Sequence, residues 1–403
     1  FWFAYAIFEI PGGWLGERNG ARRTLTRIVI VWSVFTALSG CAIGFLSLFA
    51  CRFLFGAGEA GAYPNMARVQ SRWISPDSQG KVSGLLWLVA RWGAAFSPWL
   101  FGSFQRAADS PAVRAFLARV FPPAAHLAGW RLGFWISGLL GVAWIALFYP
   151  WFRDDPTDKP SVNAAELELI RAGRAHARTK SRLPHDARVW KALFTSKSLW
   201  GLALVYVFGS FGWSFFVSWM PKFLKNVHHI DYSHSEWMTA LPMFCGGIAS
   251  VIGGYLSDRI VRAMGTRRLG RALFPVAGHI IAAGAIFALR YADSPAKAVT
   301  LMCITMAAYD FGLGAKWAAI IDVGGAYAGI AAGFVNMMGN LGGNFLQPII
   351  GAAIFTHFGW GILFGVYSAT YLASAAMWLF IRPDETFIRE QIPDELVARA
   401  TSP

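Results

Sequence analysis

The chain reads as an all-α polytopic membrane protein. Three observations predict this: apolar stretches of about 20 residues recur throughout, only 14% of the 403 residues are charged against 56% hydrophobic, and the charge gathers in short blocks between the stretches. At 1.5 Å per residue, about 20 apolar residues cross the roughly 30 Å of hydrocarbon in a bilayer. The mean hydropathy of +0.44 points the same way.

In order, the apolar spans run over residues 1–16, 27–44, 46–67, 82–104, 132–151, 199–220, 236–257, 272–289, 298–320, 329–355 and 361–381, eleven helices in all. Their connections alternate in charge. The segment Glu17–Arg27 carries Arg18, Arg22, Arg23 and Arg27, and Asp258–Arg271 carries Arg259, Arg262, Arg267, Arg268 and Arg271. Sparse loops near Phe45, Lys222–Ser235 and Tyr291–Lys297 lie between them. Arginine and lysine concentrate on the cytoplasmic side of membrane proteins, so the basic loops are assigned there. The same assignment accounts for the net charge of +14 without a nucleic-acid partner. The exception is Arg106–Arg131, a longer outer loop in which Val113, Phe116, Leu117 and Val120 recur at helical spacing and predict a short surface helix.

The four cysteines, Cys41, Cys51, Cys245 and Cys303, are scattered through apolar segments without metal-ligand or disulfide spacing, so neither a metal nor a cofactor is expected. No phosphate-binding loop follows a strand, which argues against an ATP-driven pump and against an enzyme of that kind. The histidines sit mainly in loops, with His279 embedded in a span.

One long polar segment, Arg153–Lys197, divides the spans into five before and six after. It reads as a cytoplasmic linker with an amphipathic helix over Ala164–Ala177. The expected organisation is therefore an N-terminal bundle over 1–152, a linker over 153–198, a C-terminal bundle over 199–382 and a cytoplasmic tail over 383–403. An internal repeat supports two related bundles: Gly12-Gly13-Trp14-Leu15-Gly16-Glu17-Arg18 aligns without gaps with Gly253-Gly254-Tyr255-Leu256-Ser257-Asp258-Arg259. More weakly, Gly84–Gly102 echoes Gly333–Gly351. Equivalent halves would need six spans each. Because the chain opens at Phe1 inside an apolar stretch, the expectation is that a first helix precedes it.

Glu59 stands within the apolar run Arg52-Phe-Leu-Phe-Gly-Ala-Gly-Glu59, read as mid-helix. A carboxylate at bilayer depth costs about 2.5–3.5 kcal/mol, so it is rarely kept without a use. Arg52 precedes it by two turns on the same face, about 10 Å along the axis. An acid able to take a proton beside a cation able to hold an anion fits a proton-coupled anion carrier. The structural alternative is that Arg52 braces backbone carbonyls and Glu59 is its counter-charge.

Several motifs then resemble the major facilitator superfamily. Gly16-Glu17-Arg18-Asn19-Gly20-Ala21-Arg22-Arg23 is similar to its signature between helices two and three, with Glu17 where aspartate is usual. Arg52-x-x-x-Gly56-x-Gly58 is similar to its fourth-helix motif. Finer features resemble the anion:cation symporter family of hexuronate, aldarate and galactonate permeases, sialin and vesicular glutamate transporters. These are Ile10-Pro11-Gly12-Gly13-Trp14-Leu15, Gly58-Glu59-Ala60 through Tyr63-Pro64, Gly129-Trp130-Arg131, Phe152-Arg153-Asp154-Asp155-Pro156, Trp219-x-Pro221, and Asn336-x-x-Gly339-Asn340-Leu341-Gly342-Gly343. The resemblance implies two six-helix bundles with pseudo-two-fold symmetry, alternating access, and symport of an organic anion with H⁺, or with Na⁺ in some members. It places a proton-linked acid at Glu59 and an anion-binding cation at Arg52.

Other polar residues in the spans complete the candidate set. Asn336, Asn340, Asn344 and Gln347 form one polar stripe, able to bridge helices or to meet sugar hydroxyls. Asn340 is the leading substrate contact among them, with Asn336 second. Arg91, Asp310 and Lys316 should face the interior or pair with one another. Glu9 is either a second protonation site or a hydrogen-bond partner near Pro11. Tyr206 and Trp317 could stack on a ligand or simply pack. The function expected is symport of a small organic anion, a sugar acid such as a hexuronate, aldonate or aldarate, by a monomer in a bacterial cytoplasmic membrane. The rival readings are an exporter or antiporter of another metabolite or drug, and a non-transporting nutrient receptor.

Overall fold

The computed structural model describes residues 1–120, 129–171, 187–230 and 236–388. Each of the eleven apolar spans is helical, and the breaks within them carry most of the new information. In chain order the helices are α1 (Trp2–Asn19), α2 (Ala21–Gly40), α3 (Phe45–Glu59), α4 (Ala62–Trp73), α5 (Gln79–Asp109), α6 (Pro111–Val120), α7 (Gly129–Trp151), α8 (Ala164–Arg171) and α9 (Ala187–Thr195). They continue as α10 (Lys197–Ser214), α11 (Met220–His228), α12 (Glu236–Met264), α13 (Arg267–Ala288), α14 (Pro295–Phe311), α15 (Leu313–Gly324), α16 (Ala328–Asn340) and α17 (Gln347–Met377). Helices α1–α5 and α7 pack as one bundle and α10–α17 as a second. The two meet where α5 lies along α12 and α1 along α16.

Large apolar side chains point outward from both bundles, among them Phe45 at 79% exposure, Leu147 at 76% and Leu379 at 74%. An outer face of this kind is unstable in water and at home in lipid, so the protein is a multi-pass membrane protein. Lipid tails are as apolar as leucine, and close backbone approach must therefore hold the helices together. Glycines provide it. A Cβ at Gly12 would sit 2.6 Å from the Cα of Gly61, and one at Gly314 would sit 2.7 Å from the Gly80 carbonyl oxygen and 3.0 Å from the Cα of Gly254.

The span expected over 46–67 is two helices. Helix α3 closes at Glu59, Ala60 turns to φ −53° and ψ 141°, and Gly61 takes φ 89° before α4 begins. Only glycine adopts that positive φ without strain. Asn65, fully buried, ties the break to α1 by donating to the carbonyls of Gly12 at 3.0 Å and Gly61 at 2.8 Å. Glu59 is therefore a helix-terminal residue rather than a mid-helix one.

Further departures have local causes. The ninth span, 298–320, breaks at Gly312 between α14 and α15. A π-helical turn over Leu341–Leu346 separates α16 from α17, and Gly359, at φ 72°, folds α17 back on itself. Pro221 does not end its span: a π-helical turn over Phe215–Trp219 leads into α11, which places the proline in its first turn, where no N–H is needed. The expected outer surface helix is present as α6. The linker helix is described as α8, with 172–186 outside the described residues, and α9 follows it. Because Val189, Ala192 and Leu193 of α9 are buried in the core, the linker packs rather than only connects. The tail is anchored as well, through Phe387, which is fully buried and donates its N–H to the Val323 carbonyl. Residues 389–403 lie outside the described residues.

The basic end of the bundle pair is closed by two matching contacts. Glu17, the last residue but one of the first copy of the repeat, accepts from the Gly329 N–H at the start of α16. Asp258, at the matching position of the second copy, accepts from Gly80 N–H at 2.9 Å and Lys81 N–H at 2.7 Å at the start of α5. Each acid thus caps a helix N-terminus in the opposite bundle, where unpaired N–H groups and the helix dipole favour negative charge. Arg68 of α4 pairs with Glu17, and fully buried Arg271 joins Asp258 at 2.6 Å to Asp322 at 3.0 Å. The loop arginines beside Glu17 are not its partners: Arg22 instead donates to the Tyr149 carbonyl and to Asp154.

Two predictions follow from this packing. Gly61→Val should lower stability by about 2–5 kcal/mol, from positive-φ strain plus overpacking on Gly12, as read by thermal unfolding in detergent. Asp258→Asn should weaken the closed basic end by about 1–3 kcal/mol through poorer acceptance from two backbone donors and Arg271. A cysteine at buried Ser83 should then react faster with a water-soluble maleimide than in the Asp258 parent.

Candidate functional site

The polar residues singled out in the sequence separate into three groups. The first is Arg52 and Glu59 on α3. Both are half-buried, and no ion pair joins them among the described residues. The Arg52 guanidinium lies over the rings of Phe55 at 4.8 Å and Phe1 at 5.4 Å, and Glu59 is the last residue of α3, directly before the helix break. A cation held by aromatic faces keeps its hydrogen-bond donors available for an anion.

The second group crosses between the bundles. Glu9 of α1 is fully buried and accepts from the Asn336 side chain and, at 3.3 Å, from Asn340, both on α16. Asn340 also donates to the Asn336 carbonyl at 3.1 Å, and Asn344 donates to Asn340 at 2.7 Å. Glu9 therefore bonds across to the opposite bundle as well as locally, to the Tyr5 side chain one turn earlier on α1. The expected polar stripe is shorter than four residues. Gln347 faces elsewhere, accepting from Ser214 at 2.8 Å and donating to the Tyr367 hydroxyl at 2.5 Å. The cause is the π-helical turn, whose wider winding rotates Gln347 away from the line through Asn336, Asn340 and Asn344.

The third group surrounds a buried ion pair. Arg91 of α5 donates twice to Asp310 of α14, at 2.7 and 2.9 Å, again joining one bundle to the other. The indole rings of Trp213 and Trp87 flank the guanidinium at 4.8 and 5.6 Å. Lys316 of α15 is 1% exposed, with its ammonium 3.7 Å from the Tyr309 ring centre and 6.0 Å from that of Tyr206. Trp317, fully buried, sets its ring edge-on to Trp87 at 5.7 Å and to Tyr63 at 6.1 Å. Tyr63 in turn stacks on Trp87 at 5.0 Å. Since Tyr63 follows Glu59 by four residues across the break, it connects the first group to the third.

Sequence reasoning missed several participants. Arg68 and Arg271 lie in polar or loop-like stretches beyond the apolar spans, with nothing local to mark them as buried. Trp87 and Trp213 are two of nineteen tryptophans, most of which fit interfacial positions as well. Asn65 directly follows Pro64 and carries no periodic signal. Among the described residues no cluster of histidine, cysteine and carboxylate side chains has the geometry to hold a metal ion.

Comparison with known proteins places this geometry in a family. The probable sulfoacetate transporter SauU of Cupriavidus necator is 29% identical over 399 residues, covering 98% of this chain and 85% of that protein. The probable galactarate/D-glucarate transporter GudP of Escherichia coli is 28% identical over 375 residues, covering 88% of this chain and 77% of the relative. In fold, the crystal structure of the human organic anion transporter MFSD10 matches with a TM-score of 0.66 at 16% identity, over 94% of this chain and 82% of that one. Relatives and fold neighbours are transporters rather than enzymes. The family model of the Major Facilitator Superfamily matches residues 1–347, and with two helical bundles joined by paired repeat contacts the chain belongs to that superfamily.

Proposed function

We propose that this protein is a secondary active transporter coupling the symport of H⁺ to uptake of a small organic anion by alternating access. The observation that carries the reading is the pair at the α3 break: a cation and an acid, both half-buried and joined by no ion pair to each other. In this reading Arg52 holds the carboxylate or sulfonate of the substrate. Glu59 takes a proton when the site faces the outer solution and releases it on the other side. Asn340 and Asn336, already in register with Glu9, offer amide groups to substrate hydroxyls as the bundles part, with Asn344 behind them. Tyr206 and Trp317, packed beside Lys316 and Trp87 respectively, are the aromatic groups assigned to the substrate site. The relatives named for sulfoacetate and for galactarate and D-glucarate support an anionic substrate, and among these a sugar acid suits the amide-rich stripe best. Sodium in place of H⁺ is the competing ion.

The proposed organisation is a transport bundle over 1–152, a linker over 153–198, a second bundle over 199–382 and a tail from 383. The linker and tail lie on the cytoplasmic side of a bacterial cytoplasmic membrane, and the monomer is the working unit. Two of the cross-bundle contacts, Glu9 with Asn336 and Arg91 with Asp310, help hold the halves together between cycles. Substrate binding would have to compete with or rearrange them for the cavity to change sides.

Purified protein in proteoliposomes tests this with labelled galactarate and sulfoacetate under an imposed pH gradient. One pH unit is worth about 1.4 kcal/mol per proton, enough for about tenfold accumulation per coupled proton when the membrane potential is clamped at zero. The wild type should accumulate the anion when the gradient is present and only equilibrate it when the gradient is collapsed. Glu59→Gln should lose that accumulation while still exchanging internal for external anion. Gradient-driven accumulation undiminished in Glu59→Gln would remove Glu59 from coupling, and dependence on Na⁺ alone would replace the proton. Arg52→Gln should weaken anion uptake by about tenfold or more, in line with losing a charge-assisted, hydrogen-bonded contact of about 1.5–3 kcal/mol.

A further inference from the structure

The region around Arg91 and Asp310 holds more positive charge and more hydrogen-bond donors than the protein answers. Both carboxylate oxygens of Asp310 are taken by Arg91. Lys316, 1% exposed, has no carboxylate within ion-pair distance among the described residues, and its ammonium rests against the rings of Tyr309 and Tyr206. Two buried cations thus share one acid. Around them the indole N–H groups of Trp87, Trp213 and Trp317 and the hydroxyl of Tyr206 are buried without a hydrogen-bond partner. Indole N–H and ammonium groups only donate. Leaving such groups unanswered away from water is costly for each one. Cation–π contact offsets part of that cost for Lys316 but satisfies no hydrogen bond. What the region lacks is a compact, multiply accepting anion, which carboxylate and sulfonate groups both are.

We propose that Lys316 is a second anion subsite, distinct from Arg52, so that the carrier selects dianionic substrates over monoanionic ones of the same size. Trp87, Trp213, Trp317 and Tyr206 donate to the oxygens of the anionic group that Lys316 neutralises. Tyr63 forms a shared wall, because it follows Glu59 across the helix break and packs on both Trp87 and Trp317. A purely structural role for Lys316 as counter-charge to Asp310 is already filled by the bidentate Arg91. The inference rests on the anion-symport reading above and adds the charge class of the substrate to it.

The matched probes are galactarate and galactonate, which differ in one terminal carboxylate. Uptake by the full chain in proteoliposomes should favour galactarate. Lys316→Gln should raise the half-saturation concentration for galactarate by about tenfold or more while changing that for galactonate by less than about threefold, so that the preference is lost. Lys316→Arg should retain the preference for the dianion. Tyr206→Phe, which removes a donor with little change in volume, should move the ratio in the same direction by a smaller factor, and it serves if Lys316→Gln does not fold. Equal losses for both anions in a variant of unchanged melting temperature, or unchanged galactarate affinity, overturn the subsite and leave symport standing. A wild type that takes up neither galactarate, galactonate nor sulfoacetate under any ion gradient overturns the symport reading and this inference with it.

Discussion

Charge enclosed in a bundle bounded by hydrocarbon has to be answered inside that bundle, and this requirement organises the molecule. The answers are mostly reciprocal across the two halves. Arg91 of one bundle grips Asp310 of the other, Glu9 takes hydrogen bonds from Asn336 and Asn340, and Asp258 takes them from the backbone of α5. Lipid supplies no hydrophobic force to press helices together, so these directional contacts contribute to adhesion as well as to specificity. A contact that holds two halves together and contains a titratable or charged group is also one that an ion or an anion can displace. Adhesion between the bundles and sensitivity to ligand therefore reside in the same side chains.

The repeat gives the basic end an economical design. One acid in each half meets a helix N-terminus in the other, and each is steadied by a buried arginine from its own half, Arg68 for Glu17 and Arg271 for Asp258. The contact depends on glycine at the junction: Gly80 and Gly254 lie so close that a Cβ on either would meet the carbonyl of the other. Close approach brings the dipole within reach of the carboxylate, and the carboxylate answers N–H groups that the helix itself leaves open. Neither element would hold the end shut without the other.

Irregular backbone is found beside the polar groups. The α3–α4 break follows Glu59, the Gly312 break lies between Asp310 and Lys316, and the π-helical turn over Leu341–Leu346 begins directly after Asn340. In hydrocarbon such interruptions are tolerated only where protein or a wet cavity covers them. Ala60, Gly61, Gly312, Gly342 and Gly343 at these breaks are buried, and each break also changes which residues share a face.

The sequence alone determined the fold class, the eleven spans, the division by a long polar segment and the candidate residues, because length, apolarity and charge blocks are local quantities set by bilayer thickness. It also flagged Glu9, Arg52, Glu59, Arg91, Asp310 and Lys316, since charge within an apolar span is visible in one dimension. Tertiary structure decided the partners. Glu9 joined α16 as well as Tyr5 of its own helix, and Arg91 took both oxygens of Asp310 and so left Lys316 without a carboxylate among the described residues. Gln347 turned away from the stripe because a π-helical turn, which no residue spacing announced, altered the winding. Arg68 and Arg271 looked like loop residues and became buried partners of the two repeat acids. Periodicity assigns a side chain to a face of an ideal helix; what it meets there depends on breaks in the helix and on which distant segment packs opposite, and both follow from the assembled bundle.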